Sequence, residues 1–298
     1  VRSPNATCPL DGVEKYRVLA RLGRGGMGDV FLAEHALLNH RVVVKVLHAE
    51  LATRPHLVDR MRLEAQVLAQ LRHPNLVRVT DFDETPLGRP YLVMEHLVGV
   101  SLAAELEARG APLDLRDALD LALQALEGLA HAHARGLVHR DVKLDNLFVC
   151  TPGPSHARPR LKVLDFGIAK VLDGGADGFA PLALPTAAGV VVGTPRFFAP
   201  EQARGMPLDA RADLYSFGLC LYAMVAGRGP FDDRATLVAL ARAHLVDVPP
   251  APSALALRPL PAALDALVLA CLEKRPVDRP ASAAELADAL RALARSLA

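Results

Sequence analysis

The sequence predicts an α+β chain in two unequal parts: a small antiparallel β-sheet carrying one key helix, then a larger, mainly α-helical part. Three observations predict it. Short runs rich in β-branched residues crowd the stretch from Tyr16 to Tyr91. Longer apolar-periodic segments take over after Gly99. Hydrophobic residues make up 51% of the 298 residues, enough for a core in each part and too many for a disordered chain.

Residues 1–14, with Ser3, Pro4, Asn5 and Pro9, read as a leader ahead of the first strand. Strands are expected at Tyr16–Leu22, Asp29–Glu34, Arg41–Leu47, Val77–Phe82 and Tyr91–Met94, separated by turn chemistry such as Gly23–Gly28 and Leu87–Pro90. One helix interrupts them, about Pro55 to Leu71. Proline suits its first turn, and Met61, Glu64, Leu68 and Leu71 share one face. The β-rich part and its connector close at residue 97, and 98–298 form the helical part. There Asp114 is expected to cap a helix running to Arg135 and closed by Gly136. Further helices are expected near 209–226, 233–244, 261–273 and 281–297. Residues 150–160 and 172–200 read as loops, and the proline-rich Val248–Pro261 as a connection. No repeat of 20–50 residues is visible.

Composition excludes several classes of function. A formal net charge of +1 gives no field that would draw the chain to nucleic acid or an anionic membrane. Cys8, Cys150, Cys220 and Cys271 are far apart and show no metal-ligand spacing, which fits a reduced, cytoplasmic chain. The N-terminus lacks the pattern of a signal peptide. The longest apolar run, Leu214 to Ala226, is too short to span a bilayer and reads as a buried helix. A membrane anchor elsewhere in a longer natural protein stays compatible with this.

The chemistry-bearing residues begin with Gly23-Arg24-Gly25-Gly26-Met27-Gly28-Asp29-Val30. Glycines let a backbone approach phosphates and aim amides at their oxygens, but a tight hairpin would use them equally well. The flanks read as strand–turn–strand, unlike a dinucleotide fingerprint, which needs strand–turn–helix. Lys45 sits in the apolar strand Val42–Leu47, where a lysine either reaches out to solvent or pairs with a carboxylate. Glu64, on the apolar helical face, would supply that carboxylate and be neutralised in turn. The most specific stretch is His139-Arg140-Asp141-Val142-Lys143-Leu144-Asp145-Asn146, followed by Asp165-Phe166-Gly167. Phosphoryl transfer needs a base for the acceptor hydroxyl, oxygen ligands for Mg²⁺ and a cation on the moving phosphate. Asp141, the pair Asn146 and Asp165, and Lys143 fit those needs in that order.

With these motifs in view, the chain from about Tyr16 to Ala298 resembles a eukaryotic-like (Hanks-type) bacterial serine/threonine protein kinase. Gly193-Thr194-Pro195, Ala199-Pro200-Glu201, Asp213–Gly218 and the late Arg279 match further landmarks of that family. The resemblance implies a two-lobed protein kinase fold using ATP with Mg²⁺, Mn²⁺ being an alternative ion. It implies Asp141, Lys143, Lys45 and Glu64 as catalytic residues and Asn146 and Asp165 as metal ligands. Nucleotide would meet Leu22, Gly23, Gly25, Gly26, Gly28, Val30, Val43, Lys45, Met94, Glu95, Leu97 and Asn146. Met94 would be the gatekeeper, Glu95–Leu97 the hinge that receives adenine, and Leu68, Val79, His139 and Phe166 a stacked hydrophobic spine. Glu201 and Arg279 would form a buried ion pair, and Asp213 would anchor the catalytic loop. One departure is Val43, where the family has a smaller alanine; the extra methyls would lie over adenine.

Lys143 two residues after Asp141, with Thr194 before the Ala-Pro-Glu triplet, resembles serine/threonine rather than tyrosine kinases. The Gly-Thr-Pro to Ala-Pro-Glu segment implies protein substrates rather than small molecules. Arg140 marks kinases switched by activation-loop phosphorylation. Between Lys170 and Glu201 the hydroxyl residues are Thr186 and Thr194, and with Thr194 held structurally, Thr186 is the expected autophosphorylation site. A homodimer for phosphorylation in trans is a further expectation. The same segment is apolar, with Phe179, Leu182, Leu184 and Val190–Val192, fitting either packing or a docking surface.

Overall fold

Alternation in Arg41–Leu47 places Val42, Val44 and Val46 on one face and Val43 and Lys45 on the other, the pattern of a strand with one dry side. A computed structural model describes residues 10–25, 28–152, 159–166 and 195–297. Five antiparallel strands in the order β1-β2-β3-β5-β4 form its first sheet: β1 (Tyr16–Arg24), β2 (Gly28–His35), β3 (Arg41–Leu47), β4 (Val79–Glu84) and β5 (Pro90–Glu95). Val42, Val44 and Val46 pack with Tyr16, Phe31, Ala33, Tyr91 and Val93 in one buried cluster. A short helix, α1 (Ala49–Ala52), precedes α2 (Pro55–Gln70), which buries Met61, Ala65 and Leu68. The fourth strand starts two residues later than expected, because Leu76 bridges to Val163 of another sheet instead.

Two compact units divide the chain: residues up to Arg72 with Val77–Leu97, and His73–Leu76 with Val98–Ala298. The four-residue exception has a physical cause. Val163 N donates to Asn75 O at 2.8 Å, Asn75 Nδ2 donates to Leu161 O at 2.8 Å, and Lys162 Nζ to Leu76 O at 3.0 Å.

The second unit is mainly helical, as expected, and also contains a sheet that the sequence does not announce. Its strands β6 (Gly99–Ser101), β7 (Leu147–Cys150) and β8 (Arg160–Val163) pair antiparallel. Three or four residues carry too little alternation to signal a strand. The helices are α3 (Leu102–Arg109), α4 (Leu115–His133), α5 (Pro200–Ala203), α6 (Ala210–Ala226), α7 (Leu237–Val246), α8 (Pro252–Leu255), α9 (Ala262–Cys271) and α10 (Ala283–Ser296). The proline-rich connection thus holds a short helix, and α3 was not foreseen. Helix α7 begins later than expected because Thr236 caps it, its side chain accepting from Ala239 N at 3.1 Å. Asp114 occupies the N-cap of α4 but makes no capping bond; it pairs with Arg258. Helix α6 is buried from Ala212 to Ala226, and Gly218 is what lets α9 approach: a Cβ there would lie 2.6 Å from Cys271 Cβ. Among the described residues no helix is long and apolar enough to cross a membrane.

Candidate functional site

The site residues expected from the sequence fall in both units, and each set has its own local logic. In the first unit the hairpin between β1 and β2 carries the glycine run. Gly25 N donates to Gly28 O at 2.9 Å, closing its base. Gly28 is compelled by close approach, since a Cβ there would lie 2.3 Å from Val46 O, whereas at Gly23 it would meet open space. Gly26 lies outside the described residues. Strand register then aligns the neighbours: Val30 pairs with Lys45, and Val43 with Met94. Paired positions share a face and so do alternate ones, so Val30, Val43, Lys45 and Met94 line one side of the sheet. That side is opposite the buried valine cluster. Leu22 stays 54% exposed beside the hairpin. At the end of β5, Glu95 N donates to Arg78 O at 3.0 Å and the Glu95 carboxylate accepts from Arg78 N at 2.8 Å. This double bond to one residue fixes the strand end leading to Leu97. Leu68 and Val79 are both buried in this unit. The side chain of Glu64 lies outside the described set, and so does the expected Lys45–Glu64 pair.

In the second unit the chain from His139 to Asn146 folds back on itself. Asn146 Nδ2 donates to Asp141 O at 2.8 Å and to Asp141 Oδ2 at 3.1 Å, and Lys143 Nζ lies 3.1 Å from the same Oδ2. One carboxylate oxygen thus receives an amide and an ammonium, which stabilise its charge and aim it. Arg140 has φ 65° and Asp165 φ 44°, left-handed values that cost a side-chain-bearing residue about 1–3 kcal/mol. The surroundings hold the strain at Arg140. Asp213, 1% exposed, accepts from His139 N and Arg140 N at 2.7 Å each, one per carboxylate oxygen. His133 Nε2 lies 2.7 Å from Asp213 Oδ2, and Gln202 Nε2 donates to Arg140 O at 2.9 Å.

His139 is fully buried, and its ring ties this loop to the segment after β8 that bears Asp165. Nε2 donates to Leu164 O at 2.7 Å and Nδ1 accepts from Asp141 N at 3.1 Å, so the ring is the neutral Nε2–H tautomer. Burial lowers its pKa in agreement with that. Its ring and that of Phe166 lie 4.6 Å apart. Farther along, Glu201 and Arg279 form a two-pronged ion pair at 2.6 and 2.8 Å, both side chains buried. A groove of about 480 Å³ opens beside Lys143 and Asp145, walled by Leu106, Phe197, Leu240 and Glu107.

His133 and Gln202 escaped sequence reasoning: a lone histidine on a helix and a glutamine beside Glu201 carry no spacing signal. Thr186, Thr194, Gly167 and the apolar segment Phe179–Val192 lie outside the described residues. As for metal, among the described residues no three carboxylate, imidazole or thiolate side chains gather as a cage. The amide of Asn146 and the carboxylate of Asp165 are hard oxygen donors, and a pair of them suits an ion that completes its shell with phosphate and water.

Comparison with known proteins shows what the chain is similar to. Residues 16–290 match the protein kinase domain model. The chain is 45% identical over 285 residues to the serine/threonine-protein kinase Pkn1 of Myxococcus xanthus, covering 95% of this chain and 39% of that protein. It is 39% identical over 289 residues to PknB of Mycobacterium tuberculosis, covering 96% and 44% respectively. The chain therefore spans less than half the length of these curated relatives. Among solved structures it is similar to the PknI kinase domain of M. tuberculosis, with a TM-score of 0.72 and 29% identity over 97% of this chain and all of that one.

Proposed function

Because the chain belongs to the protein kinase domain family, we propose that it transfers the γ-phosphate of Mg-ATP to serine and threonine hydroxyls of proteins. The observation that carries this reading is the convergence of Lys143 and Asn146 on one oxygen of Asp141. Such a carboxylate is oriented to accept the proton of an acceptor hydroxyl. The hydroxyl oxygen then bonds to the γ-phosphorus, the bond from that phosphorus to the bridging oxygen breaks, and ADP leaves. Lys143 would offset the charge that accumulates on the oxygens of the moving phosphate. Asn146 and Asp165 would hold the divalent ion, which neutralises phosphate charge when bound; Mg²⁺ is the proposed ion and Mn²⁺ the substitute.

The nucleotide belongs with the first unit in this reading. Backbone amides of the Gly23–Gly28 hairpin would meet phosphate, and Lys45 would hold it with Glu64 as its counter-ion. Leu22, Val30, Val43 and Met94 would enclose adenine, with Glu95 and Leu97 offering backbone groups to its edge. A protein acceptor would be received in the groove beside Lys143 and Asp145, which is lined by both apolar and charged residues. Thr186 is the proposed autophosphorylation site, read by Arg140, with a second copy of the chain as the phosphorylating partner. A cytoplasmic place in bacterial signal transduction is part of the same proposal.

The test is phosphate transfer from γ-labelled ATP with Mg²⁺, comparing the chain with Asp141→Asn. Phosphoserine or phosphothreonine that falls at least a thousandfold in the variant is the expected result. Transfer that survives the substitution would remove Asp141 as the base. Mass spectrometry that finds Thr186 bare in fully active enzyme would remove it as the switch.

A further inference from the structure

His48 follows β3 directly and occupies the N-cap of α1, with extended backbone angles of −62° and 144°. Its side chain makes no capping bond to that helix. Instead the imidazole reaches across to the β1–β2 hairpin, where Nε2 lies 3.0 Å from Gly25 O. A carbonyl can only accept, so Nε2 carries the proton and donates. On the other side of the ring, Nδ1 lies 3.8 Å from Asp29 Oδ2. Asp29 is held in turn by Arg21, with Arg24 at 4.0 Å, and its side chain is 14% exposed against 16% for His48. The contact therefore joins the end of β3 to the exposed backbone at the base of the glycine run, through an imidazole that is itself largely covered.

Its value comes from the glycines. Gly23 and Gly28 are held by strand pairing, whereas Gly25 lies between the strands, and a residue with no Cβ loses the most backbone freedom when ordered. Within the hairpin, the Gly25 N–H bond to Gly28 O holds only one side of residue 25. Among the described residues, His48 supplies the partner of the carbonyl.

We infer that His48 is a positioning residue for nucleotide binding, its imidazole N–H holding the Gly25 carbonyl and with it the glycine hairpin. The inference rests on the reading of that hairpin as the phosphate cradle. It acts before transfer, so it governs affinity for ATP and leaves the chemical step alone. The side chain touches no reacting atom.

Two substitutions test it, His48→Leu and His48→Gln. Leucine fills similar space without a donor, whereas the glutamine amide nitrogen can occupy the place of Nε2. Equilibrium titration with a non-hydrolysable ATP analogue and Mg²⁺ is expected to show about fivefold weaker binding in H48L, the size of one lost hydrogen bond. KM for ATP rises in parallel, kcat at saturating ATP stays within about twofold, and H48Q recovers wild-type binding. H48L binding as tightly as wild type, kcat falling with KM unchanged, or H48Q as weak as H48L would each overturn the inference alone. A wild-type chain that bound no analogue would overturn the cradle reading as well. If H48L does not fold, nitrogen-resolved NMR of wild-type His48 decides: the Nε2–H form supports the inference and a ring protonated only at Nδ1 refutes it.

Discussion

Replacing Arg279 by methionine should be among the most damaging single changes available in the second unit. The guanidinium is fully buried and meets Glu201 through two bonds of 2.6 and 2.8 Å. It also donates to Glu273 O at 2.8 Å and Arg211 O at 2.9 Å, and lies over the Tyr215 ring at 4.9 Å. Arg279→Met leaves the Glu201 carboxylate buried with no counter-ion and strips three carbonyls, those of Glu273, Arg211 and Lys274, of their donor. Breaking a buried pair from one side costs about 3–5 kcal/mol, and the orphaned carbonyls push this case to the upper end. Glu201→Gln is the milder change, because the guanidinium keeps its carbonyl partners; about 2–3 kcal/mol is expected from the same balance. At about 2 °C per kcal/mol for a unit of this size, R279M should melt roughly 8–10 °C below wild type and E201Q roughly 4–6 °C below. The double variant E201L/R279M removes the stranded charge and should recover part of the R279M loss. Urea unfolding and thermal melts of all four chains measure this. If R279M costs less than E201Q, or either costs under about 1 kcal/mol, the ion pair does not hold α5 in the way argued.

Three further outcomes are expected. Asp213→Ala removes the acceptor of two loop amides, one of them at the strained Arg140, so kcat should fall at least about a hundredfold, equivalent to about 3 kcal/mol, with KM for ATP little changed; a tenfold fall or less in steady-state assays would contradict the anchoring role. His244 is 2% exposed and its pKa is pulled down to about 3 by burial, with the Lys274 cation adding to the shift. The unfolded chain binds a proton near pH 6.5 while the native chain resists, so stability present above pH 6.5 declines as pH falls toward 3. Between pH 6.5 and 5 this group alone removes about 2 kcal/mol, and urea midpoints for His244→Phe should show a correspondingly flatter pH profile. Burial raises the thiol pKa of Cys271 to about 12 and that of Cys220 well above its ordinary value, so of the three cysteines among the described residues, alkylation at pH 8 should label half-exposed Cys150 first and reach Cys220 and Cys271 only on unfolding.

What the sequence discloses and what it hides divide along a physical line. Asp141, Lys143 and Asn146 stood out as candidates because groups that converge on one tight loop lie at close, fixed spacing in the sequence, and Asp165 because it opens the short triplet Asp165-Phe166-Gly167; the proposed phosphoryl transfer would demand those atoms. The first sheet was legible because a strand with one dry face must alternate, as Val42 to Val46 does. The partners that hold those atoms still answer to no such demand. Asn75 stitches four residues of the first unit's sequence into the second, and Gly128 on α4 admits them, since a Cβ there would stand 2.9 Å from Asn75 O. Neither residue belongs to a periodic pattern or a motif, and the contact joins positions far apart in the chain. His48 is the same case at the glycine hairpin, where any donor of suitable length would serve. A reaction constrains the identity of the groups that touch it, whereas a scaffold constrains only distance, direction and hydrogen-bonding sense, and many sequences satisfy those. The residues least visible in this sequence are therefore the supports, and substitution there should change affinity and stability well before it changes the reaction performed.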